Sequence, residues 1–164
     1  MTDLRIGLGI DLHRLAPERP CILAGVRIDS DIGPEAVSDG DVILHAAVDA
    51  VLGAAGLDDL GTLFPETSKD NAGRDSAEFC HEAMRQLTAR SLRVSSMDIV
   101  VEAQKPKLRP HRQAMRQRLA TLFELEADRI NLKGKTGEGL DAIGRGEAIR
   151  ATVVALLVGV DSPR

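Results

Sequence analysis

Three side chains near the start of the chain have the types and spacing of metal ligands. Asp11 and His13 lie at the end of a predicted strand, where alternation places both side chains on the same face. His45 lies within a predicted helix, and Asp41 and Asp49 flank it by one turn on each side. Two imidazoles and one carboxylate with an open fourth position describe a catalytic Zn²⁺ site, and flanking carboxylates are groups that orient a metal-bound imidazole.

The same residues also have an ordinary structural explanation. A D-x-H pair is common, and a histidine followed by an aspartate four residues later often makes a plain hydrogen bond. The residue types of Asp11, His13 and His45 therefore leave a metal site and a set of hydrogen bonds as alternatives. The other two histidines, His81 and His111, are predicted to be surface or capping residues.

A second polar group follows a predicted strand in the last third of the chain. The segment Lys133–Glu138 offers backbone amides and lysines for phosphate oxygens, a hydroxyl group, and a carboxylate able to hold Mg²⁺. It is not a P-loop, because Arg129 stands where that motif needs its first glycine. Gly7-Leu8-Gly9 is likewise no dinucleotide fingerprint, since Leu12 replaces the third glycine. A glycine-rich turn with surface lysines is the alternative explanation of Lys133–Glu138.

The elements that must position these residues alternate between strands and helices. Strands are predicted at residues 4–12, 21–28, 97–103 and 128–133, and helices at 76–90 and 111–123. Another helix is predicted to begin after the capping residues 38–41 and to end at about Ala55. The pattern of residues 148–158 fits a helix or a strand, and their many β-branched residues favour a strand. Ser76 is predicted to cap the second helix, and a loop is predicted at 57–75. The chain has no internal repeat or long linker, so residues 1–164 are predicted to form one α+β domain.

Composition restricts the classes of function. The 164 residues carry a formal charge of −4 and are 43% hydrophobic and 28% charged, as in a folded globular protein. There is no Trp or Tyr, and three Phe cannot supply the stacking surface of a single-strand nucleic-acid binder. The acidic balance also argues against general nucleic-acid binding. A core poor in aromatic rings suggests that the subunit relies on an oligomer.

The two signs of charge are concentrated in different parts of the chain. Residues 29–82 are rich in Asp and Glu, and Lys69 and Arg74 are their only Lys or Arg. Residues 103–123 contain Lys and Arg but neither Asp nor Glu. Solvated faces are one explanation, and a cation-holding half beside a phosphate-holding half is the other.

Sequence features related to location point to the cytoplasm. Cys21 and Cys80 are far apart and belong to no C-x-x-C pair, so we expect two buried reduced thiols rather than a disulfide. The first residues lack the long apolar region of a secretory signal. No apolar run approaches the ~20 residues needed to span a bilayer. We therefore predict a cytoplasmic protein without a membrane segment.

Several short motifs together resemble a known family. They are Arg5–Arg14, Ser38–His45, Asp59–Gly61, Phe64-Pro65, Ala103–Lys107, Asn131–Glu138 and Gly144–Glu147. Each motif alone is weak evidence, but their order and spacing over essentially the whole chain are specific. On these residues the chain resembles the 2-C-methyl-D-erythritol 2,4-cyclodiphosphate synthases of the non-mevalonate isoprenoid pathway.

The resemblance implies an architecture and a set of metal ligands. It implies a mixed β-sheet packed on one side by helices and assembled as a homotrimer, with each site at a subunit interface. It implies that Asp11, His13 and His45 hold Zn²⁺. Glu138 would help to bind Mg²⁺ or Mn²⁺ between two phosphates, and Thr136 would stabilise the transition state.

The resemblance also assigns the substrate contacts. The segment at 59–61 and the flexible loop at 64–68 would hold the methylerythritol portion, and the loop at 103–109 would hold the cytidine largely through main-chain groups. Arg145 matches a position near a central channel that can hold an isoprenoid diphosphate. The implied contacts are Asp11, His13, Val37, Ser38, Asp59, Leu60, Gly61, Phe64, Pro65, Glu66, Thr67, Ser68, Ala103, Gln104, Lys105, Pro106, Lys107, Leu108, Arg109, Lys135, Thr136, Gly137, Glu138, Ala142 and Arg145.

The implied reaction is an intramolecular phosphoryl transfer. The 2-phosphate of 4-diphosphocytidyl-2-C-methyl-D-erythritol 2-phosphate attacks the β-phosphorus and CMP leaves, as in a phosphorus–oxygen lyase. Such a reaction depends on in-line positioning and charge neutralisation, which two metals and lysines provide. The alternatives are a diverged paralogue, or a non-enzymatic trimer that binds metal and cytidine or isoprenoid phosphates without cyclising them.

The chain departs from the family pattern at several positions. Val37 stands where the family usually has a histidine that stabilises the transition state, and valine donates no hydrogen bond. Lys135 replaces a small or hydroxyl residue, and we hypothesise that its charge partly replaces the lost histidine. Glu66 and Ser68 differ from the acids that are common at these positions of the flexible loop. Ala142 stands where the family often has a phenylalanine at the central channel.

Overall fold

The computed structural model describes residues 3–65, 67–68 and 71–160 of the chain. The strands are β1 (Leu4–Pro17), β2 (Cys21–Leu23), β3 (Val26–Ile28), β4 (Ile32–Pro34), β5 (Leu92–Glu102), β6 (Ile130–Lys135) and β7 (Ala148–Gly159). The helices are α1 (Val42–Ala54), α2 (Leu60–Leu63), α3 (Ser76–Thr88) and α4 (Arg112–Leu122), with single 3₁₀ turns at Arg109–His111 and Ala127–Arg129.

Five strands form one mixed sheet in the order β4-β1-β7-β5-β6. Strand β7 pairs antiparallel with both β1 and β5, whereas β5 and β6 are parallel. Helix α1 packs on β1 and β7, α3 on β5, and α4 on β6. The α+β fold with a mixed sheet packed by helices is therefore confirmed.

The strand order brings the functional segments of the sequence to one end of the sheet. Leu12 of β1 lies opposite Arg150 of β7, Arg150 lies opposite Glu102 of β5, and Glu102 lies opposite Lys135 of β6. The predicted metal ligands of β1 and the predicted phosphate segment after β6 therefore share this end, separated across the sheet by β7 and β5.

Helix α1 lies so close to β1 that two positions of the strand have no room for a side chain. A Cβ atom on Gly7 would lie 1.9 Å from the Ala50 carbonyl oxygen, and one on Gly9 would lie 1.9 Å from that of Ala46. Ala46 and Ala50 are fully buried, so small residues on both elements form the contact. Close packing thus explains the glycines that superficially resemble a nucleotide-binding motif.

The face of β1 that points away from the helices is apolar and exposed. Its side chains, which are 54% to 75% exposed, are Leu4, Ile6, Leu8, Ile10 and Leu12. Val154 of β7, directly opposite Leu8, extends the same surface. Contiguous apolar surface of this kind marks a contact with another protein or a ligand. We call these six residues the apolar face.

The prediction of a single strand at 21–28 is wrong. The segment is a hairpin of β2 and β3, because Ala24 and Gly25 adopt positive φ angles of 53° and 69° and reverse the chain. The predicted strand at 4–12 is confirmed but extends to Pro17.

The segment before α3 also differs from expectation. The predicted loop at 57–75 contains the short helix α2, whose N-cap Asp59 accepts a hydrogen bond from the Thr62 N–H. Helix α3 is capped by Asp75, which accepts from the Ala77 N–H, so the prediction that Ser76 is the cap is wrong. The Ser76 hydroxyl is therefore available for another partner.

The core consists mainly of aliphatic side chains from α1 and the sheet. Phe79 and Phe123 are the buried rings, and Cys21 and Cys80 are buried and free, as predicted. Burial raises the pKa of the Cys21 thiol to about 11. Among the described residues, no helix has the length and apolar character required to cross a membrane.

The α1–β1 contact predicts a large effect of one methyl group. Gly9→Ala would place a Cβ atom against the Ala46 carbonyl, so we expect it to lower the free energy of unfolding by about 3 kcal/mol or more. Gly53→Ala is the matched control, since a Cβ on exposed Gly53 in α1 meets nothing within 4 Å. Because alanine has a better helix propensity than glycine, this control should raise the free energy of unfolding, by about 1 kcal/mol at most. Urea unfolding measures both, and equal stability of the two variants would contradict the close contact.

Candidate metal centre

Three ligand atoms converge where β1 meets α1. Asp11 Oδ2 lies 2.9 Å from His13 Nε2 and 3.0 Å from His45 Nδ1, and the two imidazole nitrogens lie 3.3 Å apart. Ligands that bind Zn²⁺ tetrahedrally at about 2.1 Å are about 3.3 Å from one another. The three atoms thus have the spacing of one face of a tetrahedral site, and they form the cluster of potential metal ligands found among the described residues.

The positions of these side chains follow from the strand and the helix. Asp11 and His13 occupy alternate positions of β1 and turn toward the helices, in phase with Gly7 and Gly9. His45 projects from the first turn of α1. The side chains of Asp11, His13 and His45 are only 23%, 14% and 10% exposed, so an ion there would be largely shielded from water.

The electrostatics of the cluster favour a cation. Burial alone would raise the pKa of Asp11, but hydrogen bonds from His13 and His45 and their charges lower it well below the usual range. Burial alone would lower the pKa of His45, but the hydrogen bond and charge of Asp11 raise it above its ordinary value. A proton thus binds where a metal would, and metal binding must displace it.

The second nitrogen of His45 contacts residues that sequence patterns did not identify. His45 Nε2 lies 2.8 Å from Ser76 Oγ and 3.3 Å from Ser38 Oγ. Ser76 in turn hydrogen-bonds Asp39 through both its hydroxyl and its backbone N–H. Ser38 was expected at the site, whereas Ser76 and Asp39 were not. No local pattern reveals a contact between residues 31 positions apart.

Asp41 and Asp49 do not orient the imidazole as the helical spacing suggested. Fully buried Asp41 accepts hydrogen bonds from four backbone N–H groups, those of Ala24, Gly25, Ile43 and Leu44. Burial raises the pKa of Asp41 to about 6, against the opposing effect of these bonds. Its carboxylate therefore begins α1 and fixes the β2–β3 turn.

Asp49 has a different structural task. Its Oδ1 accepts the Leu60 N–H at 2.8 Å and joins α1 to the start of α2. Burial raises the pKa of Asp49 despite this bond. Asp49 also lines the cavity beside the metal ligands.

A cavity of about 190 Å³ adjoins the three ligands. It is lined by the predicted residues Asp11, His13, Val37, Ser38, His45, Asp49, Leu60, Gly61 and Phe64, together with Ala36, Asn71 and Phe79. The structure thus brings three separate segments of the sequence prediction together. We call this space the metal pocket.

The loop after α2 is held beside the metal pocket by side chains that were not predicted. Rings of Phe64 and Phe79 lie 4.6 Å apart, and the Arg74 guanidinium lies 5.2 Å from the Phe64 ring. Arg74 Nη1 donates to Asn71 Oδ1, and Asn71 Nδ2 donates to the Pro65 carbonyl. These contacts fix the wall of the pocket at Phe64.

The rest of the predicted 59–68 segment does not line the metal pocket. Asp59 is exposed and caps α2, and Pro65, Thr67 and Ser68 follow Phe64 outside the cavity lining. Glu66 lies outside the described residues.

A second cavity, of about 420 Å³, lies between the loop after β5 and the end of β6. Its lining includes the predicted residues Ala103, Pro106, Lys107, Leu108, Arg109, Lys135 and Thr136, with Arg112, Leu132, Lys133 and Gly134. The side chains lining this cavity include five Lys or Arg residues and no acid, so its potential favours phosphate. We call it the basic pocket.

Several predicted residues border the basic pocket without lining it. Thr136 Oγ1 donates to Glu138 Oε1 at 2.7 Å, which places a hydroxyl and a carboxylate together after β6. Lys105 and Gly137 lie beside the lining residues. The Gln104 side-chain oxygen is buried without a hydrogen-bond partner among the described residues.

One chain does not join the two pockets. Lys135 is separated from Leu12 by three strand spacings, which correspond to about 14 Å. Ala142 and Arg145 lie in the segment between β6 and β7 and line neither pocket, and Arg145 forms a 2.9 Å ion pair with Glu147. The predicted phosphate residues and metal ligands therefore form two separate groups.

Comparison with known proteins agrees with the motifs. The model of the YgbB family matches residues 4–158. A 2-C-methyl-D-erythritol 2,4-cyclodiphosphate synthase of Rhodopirellula baltica is 44% identical over 93% of this chain and 92% of its own length. The enzyme of that name from Edwardsiella ictaluri is 48% identical over 94% of this chain and 99% of its own.

Solved structures show the same likeness. A 2C-methyl-D-erythritol-2,4-cyclodiphosphate synthase in its CDP-bound form superimposes with a TM-score of 0.87 at 44% identity, over 93% of this chain and 99% of that one. The bifunctional IspDF of Campylobacter jejuni gives a TM-score of 0.94 at 38% identity, over 98% of this chain and 44% of that longer one. Since the family model and relatives of this identity cover nearly all of the sequence, the chain belongs to the YgbB family.

Proposed function

We propose that this chain converts 4-diphosphocytidyl-2-C-methyl-D-erythritol 2-phosphate to 2-C-methyl-D-erythritol 2,4-cyclodiphosphate and releases CMP. The observation that carries the proposal is the convergence of Asp11, His13 and His45 beside a cavity, in a chain whose relatives are named for this reaction. A solved relative with CDP bound supports a cytidine diphosphate substrate. The enzyme is a phosphorus–oxygen lyase of isoprenoid biosynthesis.

Zn²⁺ is the metal that this donor set fits. Two imidazole nitrogens and one carboxylate oxygen, spaced as on a tetrahedral face, would hold the ion and would leave it open to the substrate. Such an ion supplies Lewis-acid polarisation of the phosphoryl group. Glu138, held by Thr136, is the residue we assign to Mg²⁺ or Mn²⁺.

The chain's own residues bind and orient the rest of the substrate. The basic pocket takes the cytidine and its phosphates, with Lys107, Arg109 and Lys135 balancing negative charge. The walls of the metal pocket at Leu60, Gly61 and Phe64 take the methylerythritol portion. Holding both ends brings the 2-phosphate in line with the β-phosphorus, which is the main requirement of this chemistry.

A homotrimer with its sites at the subunit interfaces agrees with two features. The apolar face leaves large side chains in water unless another subunit covers it. Leu12, beside the metal ligands, and Lys135, in the basic pocket, are about 14 Å apart across the sheet of one chain, so the basic pocket of a neighbouring subunit would complete each site. Binding of an isoprenoid diphosphate near Ala142 and Arg145 in a central channel stays a prediction.

Among the departures from the family pattern, Val37 is the one that we expect to affect the rate of the reaction most directly. Its side chain is 42% exposed and lines the metal pocket, but it offers the substrate no hydrogen bond. Lys135 belongs to the basic pocket, so any compensation for the missing histidine acts across the subunit interface. The charge of Lys135 would then stabilise phosphate oxygens in the transition state.

The reaction itself is tested by phosphorus NMR. Purified protein with substrate, Zn²⁺ and Mg²⁺ should produce CMP and the cyclodiphosphate in equal amounts, and a chelator should stop the reaction. Release of neither product by the metal-loaded protein would reject the enzyme in favour of a binding protein.

Removal of one metal ligand should abolish zinc binding. The wild-type chain should bind about one Zn²⁺ and gain several degrees in Tm, whereas His45→Ala should show neither effect. His81→Ala is the control, because His81 is exposed on α3 and away from the cluster. Since the pKa of His45 is raised, protons compete, and zinc affinity should be lower at about pH 6 than at about pH 8. Zinc binding by His45→Ala at wild-type affinity would contradict the assigned ligands.

Substitutions at Lys135 and Val37, two departures from the family pattern, should change kcat. Lys135→Ala should lower kcat about tenfold or more, and Val37→His should raise kcat, because one donor near a developing oxyanion has effects of this size. Arg85→Ala, on the exposed side of α3, is the charge-matched control and should leave kcat unchanged. Wild-type turnover by Lys135→Ala would exclude the compensation.

A further inference from the structure

The environment of His45 Nε2 is not explained by the metal ligands alone. His45 Nδ1 faces Asp11 and His13, so the proposed site uses that nitrogen for the ion. A neutral imidazole that binds a metal through Nδ1 carries its hydrogen on Nε2. That hydrogen needs an acceptor, because His45 is buried.

Ser76 is in position to be this acceptor. Its Oγ lies 2.8 Å from His45 Nε2, and the residue is completely buried. The Ser38 hydroxyl is more distant, at 3.3 Å, and also accepts the Gly40 N–H. The closer contact, through Ser76, therefore dominates at this nitrogen.

Asp39 determines the direction of the Ser76 hydroxyl. The Ser76 O–H donates to Asp39 Oδ1, and the Ser76 N–H donates to Asp39 Oδ2 at 3.0 Å. A carboxylate only accepts hydrogen bonds, so the hydroxyl hydrogen points toward Asp39 and a lone pair of Oγ points toward His45. Residues 39, 76 and 45 thus form a chain of bonds that fixes where each hydrogen lies.

We propose that Asp39 and Ser76 are positioning residues that hold His45 in the Nε2–H tautomer and aim its Nδ1 at the metal. The inference rests on the proposed metal site and adds residues to it that neither the ligand pattern nor the cavity lining identifies. A carboxylate acting on a ligand histidine through a hydroxyl serves the same purpose as a carboxylate bound to it directly.

A purely structural role for the Ser76 hydroxyl is a weaker explanation. Helix α3 is capped by Asp75, whose carboxylate accepts the Ala77 N–H at 2.8 Å. The backbone N–H of Ser76 bonds Asp39 whatever its side chain, so Ser76→Ala removes the hydroxyl and keeps that bond. The partners that the hydroxyl has in the described structure are His45 and Asp39.

The test is the zinc affinity of the full-length protein, measured by competition with a chromophoric chelator. Ser76→Ala should bind Zn²⁺ about 10- to 100-fold more weakly than wild type, and Asp39→Asn should weaken binding in the same direction. Asp75→Ala is the control. It removes the cap of the same helix and should lower Tm, while its zinc affinity stays within about twofold of wild type.

Co²⁺ in place of Zn²⁺ gives a second measurement that does not depend on turnover. The visible absorption of Co²⁺ reports ligand geometry, so Ser76→Ala should alter the spectrum and Asp75→Ala should not. If Ser76→Ala does not fold, Asp39→Asn, which keeps the side-chain shape, provides the same comparison.

Two results would overturn the inference. The first is wild-type zinc affinity in Ser76→Ala, or in Asp39→Asn if Ser76→Ala does not fold. It would show that the hydrogen bonds from Asp39 through Ser76 do not position His45, while the metal site itself stands. An equal loss of affinity in Asp75→Ala would show that the effect comes from helix α3 as a whole. Absence of zinc binding by the wild type would instead contradict the proposed metal site, and with it the positioning role of Asp39 and Ser76.

Discussion

The close contact between helix α1 and strand β1 is the constraint on which the site depends. Gly7 and Gly9 allow the helix backbone to approach the strand, and the next two residues of the same strand face are Asp11 and His13. The contact thus sets the separation at which His45 meets them. A larger residue at either glycine would push the helix away and separate the ligands. The dense packing of α1 on β1 is therefore also what holds the three ligands at metal-binding distances.

The uneven distribution of charge along the chain has a spatial counterpart. Acidic and imidazole ligands gather in the metal pocket, and Lys and Arg side chains gather in the basic pocket. A substrate with a polar sugar at one end and a nucleotide at the other would span both regions. Three strand spacings separate Leu12 from Lys135 within one chain, and this separation is the reason for proposing that a neighbouring subunit completes the site.

Local patterns predicted the parts of the site that lie on regular elements. Alternation in β1 located Asp11 and His13, and helical periodicity located His45, because the geometry of each element is repetitive. The same periodicity wrongly predicted that Asp41 orients the His45 imidazole. The Asp41 carboxylate instead accepts hydrogen bonds from nearby backbone N–H groups. Ser76 was missed because its role depends on a contact between distant segments, which no short pattern encodes.

The fold was predictable to a similar extent and for similar reasons. The nearly continuous apolar run of β7 left helix and strand as alternatives, and its β-branched residues favoured the strand that the structure shows. The β2–β3 hairpin was missed because Ala24 occupies a positive φ that usually calls for glycine or asparagine, so the turn lacked its usual marker. Helix α2 has only four residues, too few to show a period.

The alternation of β1 ties two distant surfaces to a single register. Leu8, Ile10 and Leu12 point to one side, and Gly9, Asp11 and His13 point to the other. A slip of one residue in the register of this run against β7 would exchange the two sides, turning the ligands outward and the leucines against the helix. One register against β7 therefore determines both the metal ligands and the apolar face.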